Sequence, residues 1–264
     1  MYSVKDKKRI VIKVGTSTLT HKTGRLNIRR VEKFVKVLAD LQNSGKEIIL
    51  VSSGAIGLGI SKMGLTSRPS ETPMKQACAA VGQCELMYMY DKLFGEYNLT
   101  VGQILLTKYV IDAVSRNNIV NTFEKLIAHR VIPVVNENDT VAIDELELEF
   151  GENDTLAAEV ATFCKADLLI ILSDIDGFYD SNPKLNPDAK LIPVVSEIND
   201  DIRSLAGGVT SGLGSGGMIT KINAAEVAMR AGVDMAILNG RNPSILYDIF
   251  DDKQVGTIFT AEKK

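Results

Sequence analysis

Short apolar runs rich in Val, Ile and Leu alternate along the chain with segments whose apolar positions recur every three or four residues. Residues 9–14, 47–52, 101–106, 131–135, 167–173 and 233–238 make up the runs, and each predicts a strand. Several are apolar almost throughout, as a strand covered on both faces of a parallel sheet requires. Between them, Val31, Phe34, Val35, Leu38 and Leu41 follow the i, i+3, i+4, i+7 spacing of a helix with one buried face. Residues 72–97, 115–128, 154–164 and 217–231 read as helices in the same way. This alternation predicts an α/β fold: a mostly parallel sheet with helices on both faces.

Two stretches break the pattern. Ala142 to Glu149 is acidic and alternates with period two, so it reads as a hairpin arm or lid rather than a central strand. From 174 to 216 the sequence turns irregular, with Pro183, Pro187, Pro193 and six glycines from Gly177 to Gly216. A loop region this long inside a compact domain is usually functional or mobile. No repeat or linker divides the 264 residues, so a single domain over 1–264 is expected. A fold of that size buries roughly three quarters of its unfolded surface and needs no staples.

Composition narrows the function classes. A net charge of −3 and a pI near 5.6 argue against a nucleic-acid-binding body. The three cysteines, Cys78, Cys84 and Cys164, form no C-x-x-C pair and are expected as buried, reduced thiols. His21 and His129 lie far from them in sequence, so no zinc site is expected. The first apolar run breaks at Lys13, too early for a signal peptide, and no stretch approaches the ~18 apolar residues of a membrane span. A cytoplasmic location follows as the expectation.

Four predicted strands end in small or polar residues, where doubly wound sheets bind ligands. The first is followed by Lys13-Val14-Gly15-Thr16-Ser17, an ammonium beside a glycine and hydroxyls, which suits phosphate. Taken alone, Lys13 is more readily a solvated lysine. Ser52-Ser53-Gly54-Ala55-Ile56-Gly57 follows the second, and alone it is a tight turn with a helix cap. The third precedes Asn136-Glu137-Asn138-Asp139-Thr140, echoed by Gly151-Glu152-Asn153-Asp154-Thr155; here Asp154 could equally cap the next helix. The fourth ends in Ser173-Asp174-Ile175-Asp176-Gly177, and a glycine-rich loop, 212–217, later runs into a helix with Lys221 in its first turns. Such a loop is an anion cradle by construction.

Residues 212–217 match G-x-G-x-x-G, but no strand precedes them, which sets the dinucleotide reading aside. The Walker pattern is absent. Asp174-Ile175-Asp176-Gly177 resembles the nucleophile motif of haloacid-dehalogenase phosphatases, yet Phe178 follows it and it stands two thirds along the chain.

Taken in order, the segments resemble the amino acid kinase family. The matching stretches are IVIKVGTSTLT (10–20), VSSGAIGLG (51–59), KQACAAVGQ (75–83), VGQILLT (101–107), VIPVVNENDTVA (131–142), FGENDTLAA (150–158), LSDIDGFYDSNP (172–183) and SGLGSGGMITK (211–221). GTIF (256–259) resembles the last strand of the family. The NENDTV and GENDTL pair with KQACAAVGQ is closer to the glutamate-phosphorylating branch than to the branches acting on acetylglutamate, aspartate, carbamate or uridylate.

The resemblance implies a three-layer αβα sandwich, with the amino acid over the N-terminal half and ATP over the half from about 167. It implies transfer of a phosphoryl group from ATP, with Mg²⁺ carried on the ATP phosphates rather than on protein side chains. The acceptor would be the γ-carboxylate of L-glutamate, at the head of proline biosynthesis. Lys13 and Lys221 would hold the transferring phosphoryl group and Asp154 would organise them. Ser53, Gly54, Asp139 and Asn153 would bind glutamate. ATP would lie against Lys13, Gly15, Ser173, Asp174, Ser215, Gly216, Gly217, Met218, Ile219, Thr220 and Lys221. Feedback inhibition by proline, a homo-oligomer with the helix near 75–94 as a candidate contact, and association with glutamyl-phosphate reductase are further implications. Many members of this branch carry an additional C-terminal PUA domain; only TAEKK follows GTIF, so the short form is expected. Glu152 and Ser173 stand where the family often has Asp and Thr, and both keep the chemical group. A sibling kinase acting on N-acetylglutamate or aspartate, or a non-catalytic amino-acid sensor, are the alternatives.

Overall fold

The computed structural model describes residues 2–21, 25–107, 113–141, 152–207 and 217–261. Among these residues the strands are β1 (Arg9–Val14), β2 (Glu47–Ser52), β3 (Val101–Leu106), β4 (Ile132–Glu137), β5 (Leu168–Ser173), β6 (Val194–Val195), β7 (Asp234–Asn239) and β8 (Thr257–Phe259). The helices are α1 (Thr16–Leu19), α2 (Ile28–Asn43), α3 (Ala55–Lys62), α4 (Thr72–Gly95), α5 (Ala113–Ala128), α6 (Glu152–Phe163), α7 (Asp200–Gly207), α8 (Met218–Arg230) and α9 (Ile245–Phe250). No described helix is long and apolar enough to cross a membrane. The chain divides into two compact units, Val14–Glu149 and Met1–Lys13 with Phe150–Lys264.

In the Val14–Glu149 unit the strands run in the order β3-β4-β2, all parallel, with Leu50 level with Val134 and Ile104 level with Val135. Helix α2 starts where Asn27 accepts a hydrogen bond from the Arg30 amide at 3.1 Å. Its predicted stripe, Val31, Phe34, Val35, Leu38 and Leu41, is buried. Strand β4 runs two residues past the predicted run, so Asn136 and Glu137 are buried strand residues rather than loop.

Helices α3 and α4 are pressed together backbone to backbone. A Cβ on Gly59 would lie 1.8 Å from the Cys78 carbonyl oxygen, and one on Gly82 would lie 1.7 Å from that of Ala55. Glycine is required at both places because the partner is main chain and cannot swing aside. The sequence signals only the start of α3, at the Ser52–Gly57 turn with its helix cap; AIGLGISK carries two glycines and little periodicity, so the length of the helix is not legible there. Cys78 and Cys164 are buried as expected, but Cys84 is exposed. It lies six residues, about one and two-thirds turns, beyond Cys78, which puts it roughly 120° around the helix from Cys78, whereas Gly82, four residues on, shares the face pressed on α3.

In the second unit the order is β1-β5-β7-β8-β6. The pairs β5/β7 and β6/β8 are parallel and β7/β8 is antiparallel. Asp234, the first residue of β7, accepts hydrogen bonds from the Tyr2 hydroxyl and from the Ala261 amide at 2.8 Å, and pairs with Lys7 Nζ at 2.5 Å. One buried carboxylate thus fastens segments from the beginning and the end of the sequence. The stretch read as irregular from 174 contains β6 and α7, too short to leave a periodic signal. The hydroxyl of Thr257 accepts from the Phe178 amide at 2.8 Å and lies 2.6 Å from the Ile192 carbonyl, closing the base of the 178–192 loop. The acidic 142–149 stretch and the 212–216 part of the glycine-rich loop lie outside the described residues.

Gly82→Ala should lower unfolding free energy by about 3 kcal/mol in denaturant titration, at the severe end of overpacking. Gly95→Ala on the same helix, with open space around the new Cβ, should stay within about 0.5 kcal/mol of wild type. Equal effects at the two sites would refute the close-contact argument.

Candidate active site

Three sequence-distant charges meet in the second unit. Lys13 is the penultimate residue of β1, its side chain 12% exposed. Asp154 lies in the first turn of α6 and is 1% exposed, inside the helix rather than capping it. Lys221 is the fourth residue of α8 and is buried. The two helices pack together, and both bury alanines: Ala157, Ala158 and Ala161 on α6, Ala224, Ala225 and Ala228 on α8. Small side chains allow the close approach that lets a short aspartate reach across.

Lys13 Nζ lies 2.7 Å from Asp154 Oδ1, and Lys221 Nζ lies 3.0 Å from Oδ2. The Thr220 hydroxyl stands 3.3 Å from the same Oδ2 and 2.8 Å from the Gly217 carbonyl. Burial by itself would push the Asp154 carboxyl up, but the charges and hydrogen bonds of Lys13 and Lys221 outweigh it and hold the group below the usual carboxylate range. Two ammonium groups on one carboxylate leave one net positive charge in a place largely withdrawn from water. That arrangement receives anions.

Nearby strand ends in the same unit carry further polar groups. Ser173 and Asn239 are level at the ends of β5 and β7, and the Gly240 amide donates to the Ser173 carbonyl at 2.8 Å. Asn239 Nδ2 donates to Asp176 Oδ1 at 2.6 Å, and the Tyr179 hydroxyl to Asp176 Oδ2 at 3.3 Å. Asp174 is exposed beside Ser173. Helix α8 starts at Gly217, which is extended and provides no side-chain cap, so the positive end of the helix begins one turn from Lys221. Met218 is buried there, Ile219 is partly exposed, and Asn153 precedes Asp154 in α6. Ser215 and Gly216 lie outside the described residues.

The Val14–Glu149 unit holds Gly15, Ser53, Gly54 and Asp139. The Ser53 amide donates to the Val14 carbonyl at 3.1 Å, and Gly54, with φ of 112°, turns the chain into α3 in a conformation open to glycine. Beside this turn Ser52 Oγ and Tyr90 Oη lie 2.8 Å apart in the core. Asp139 follows β4; burial, with the charge of Glu137 adding, pushes its carboxyl up to about 6. Asn136 Nδ2 donates to Gln83 Oε1 at 3.0 Å. Sequence reasoning missed that amide pair, the Thr220–Asp154 contact and the Asp176–Asn239 bond. Asn136, Asp154, Asp176 and Thr220 each stand in motifs read from the sequence and Gln83 ends the KQACAAVGQ stretch, but spacing alone does not pair them. Among the described residues no group of three or more His, Cys, Asp or Glu could hold a metal ion.

A sequence profile of the amino acid kinase family matches residues 8–239. The chain belongs to the amino acid kinase family. The glutamate 5-kinase of Clostridium perfringens is 52% identical over 264 residues, covering 99% of this chain and 98% of that protein. That of Listeria innocua is 53% identical over 265 residues, covering 99% and 96%. Among solved structures, carbamate kinase from Giardia lamblia, bound to AMP-PNP, superposes with a TM-score of 0.66 at 17% identity over 98% of this chain and 100% of that one. UMP kinase from Bacillus anthracis gives 0.64 at 17% identity, covering 97% of each. These two likenesses are of fold, and they agree with the mostly parallel α/β architecture expected from the sequence.

The raised Asp139 carboxyl predicts a pH-dependent stability. Below about pH 4 the group is protonated in folded and unfolded chains alike. Between that value and about 6 the unfolded chain ionises first, and a penalty on the folded state grows and then levels off. Asp139→Asn should therefore melt above wild type at pH 7.5 and level with it at pH 4. The same difference in Tm at both pH values would rule out this account.

Proposed function

We propose that this chain transfers the γ-phosphoryl group of ATP to the γ-carboxylate of L-glutamate, forming γ-glutamyl 5-phosphate, the first step of proline biosynthesis. The observation that carries the reading is the buried Lys13–Asp154–Lys221 cluster, in a chain matching glutamate 5-kinases at 52–53% identity over nearly its full length. The acceptor carboxylate is already ionised at neutral pH, so no general base is needed. The obstacle is electrostatic, because two anions must meet in line while charge spreads over the equatorial phosphoryl oxygens.

Lys13 and Lys221 answer that obstacle as preorganised positive charges on the transferring group, where each such donor is commonly worth 10²–10³ in rate. Asp154 is a positioning residue: it holds both ammonium groups at fixed places without touching the acceptor. Gly15, Ser173, Asp174 and residues 215–221 hold the nucleotide, with the N-terminal end of α8 toward phosphate. The net positive charge around Asp154 fits a polyphosphate that carries its own divalent ion. Mg²⁺ bound through the ATP phosphates supplies additional neutralisation of the developing charge. Ser53, Gly54 and Asn153 hold glutamate, and Asp139 pairs with its α-ammonium. Such a carboxylate disfavours N-acetylglutamate, which has no ammonium to offer. The reading extends to a cytoplasmic, homo-oligomeric kinase, inhibited by proline and handing its product to glutamyl-phosphate reductase.

Hydroxylamine converts an acyl phosphate into a hydroxamate and so tests product and substrate together. With ATP and Mg²⁺, hydroxamate should form with L-glutamate and not with N-acetylglutamate or aspartate; the reverse preference would move the chain to a sibling reaction. Lys221→Ala and Lys13→Ala should each lose about 10²–10³ in kcat. Near-wild-type turnover in either variant would remove that lysine from the mechanism.

A further inference from the structure

Helix α4 lays one face on the core of the Val14–Glu149 unit: Ala79, Leu86, Tyr90 and Phe94 are all 2% exposed or less. Gln83 shares that face, three residues before Leu86 and seven before Tyr90. One end of its amide meets Asn136. The other end, Nε2, is buried and has no hydrogen-bond partner among the described residues. Turning the amide over exchanges oxygen and nitrogen but still leaves one buried end without a described partner. Burying an unpaired amide end costs stability, so its presence here asks for a partner.

The backbone around Gln83 is fixed on two sides. The preceding Gly82 lies against the Ala55 carbonyl, at the start of α3 directly after Ser53 and Gly54. Its partner Asn136 is near the end of β4, three residues before Asp139. Gln83 therefore stands between the two segments that the proposed function gives to glutamate. We infer that Gln83 is a specificity-determining residue whose side-chain amide donates a hydrogen bond to the α-carboxylate of the acceptor amino acid, with Asn136 holding the amide in place. The α-carboxylate is the choice because the γ-carboxylate must keep its attacking oxygen free, and a donor on that oxygen would blunt it. The assignment complements Asp139: a donor for the α-carboxylate and an anion for the α-ammonium together recognise the amino-acid end of the substrate.

This inference rests on the proposed glutamate reaction, and one experiment separates the two. Wild type, Gln83→Leu and Gln83→Glu are compared by hydroxamate formation with glutamate. Binding of 4-aminobutanoate, which keeps the ammonium and the reacting carboxylate but lacks the α-carboxylate, is read as competitive inhibition. Gln83→Leu should raise the KM for glutamate about 10- to 100-fold, the worth of a hydrogen bond to a charged group. The KM for ATP and the inhibition constant of 4-aminobutanoate should stay within about twofold even though Tm falls, because the buried Asn136 amide loses its acceptor. Gln83→Glu should weaken glutamate binding further, by placing a carboxylate opposite a carboxylate. An unchanged glutamate KM in Gln83→Leu overturns the inference and leaves the reaction standing. So does an equal loss for both acids, a fall in Tm with both substrate KM values moving together, or tighter glutamate binding in Gln83→Glu. Absence of hydroxamate in wild type overturns the reaction and this inference together.

Discussion

The Asp154 carboxylate is the point on which the second unit is organised. Its two oxygens are shared between lysines drawn from a strand and from a helix, 141 and 67 residues away in sequence. Burying three charges is unfavourable for each alone and tolerable only for the set. Such a cluster is weak evidence for stability and better evidence for work that needs fixed charge. The packing around it is consistent with that priority, since the alanines of α6 and α8 surrender side-chain volume to bring the helices close.

The Val14–Glu149 unit reaches rigidity by a different route. Its polar groups are placed by main-chain contacts at Gly59 and Gly82 rather than by shared charge. A helix that touches its neighbour through backbone has little room to slide, so Ser52 with Tyr90 and Asn136 with Gln83 meet at set positions. In both units the residues with least side chain determine where the functional side chains stand.

Much of this was readable in the sequence. Six strands fall within two residues of the apolar runs, because continuous Val, Ile and Leu leave few other solutions in a parallel sheet. Lys13, Asp154 and Lys221 were visible as residue types at the right ends of elements, and the family resemblance grouped them. Their sharing of one buried carboxylate was not visible, since Asp154 reads equally as a cap until the start of α6 is placed two residues earlier. The upward shift at Asp139 depends on burial and on the neighbouring Glu137, neither of which spacing reveals. Helices α1, α7 and α9 and strand β6 escaped because shortness erases periodicity. Cys84 was misjudged for want of knowing which face of α4 meets α3.

The clasp at Asp234 bears on the order of events during synthesis. The Val14–Glu149 unit is one continuous stretch and is complete when its last residue leaves the ribosome. The opening strand belongs elsewhere: its segment is fastened by Asp234, which also takes the amide of Ala261. Lys13 must wait for more than a hundred residues before Asp154 exists, and for Lys221 after that. Until then the nascent chain carries an apolar Ile10-Val11-Ile12 segment without β5, its strand neighbour in the second unit, a period of exposure to unwanted pairing. The lysines Lys5, Lys7 and Lys8 and Arg9 just ahead of that segment give it charge while it waits, the same device that edge strands use against aggregation.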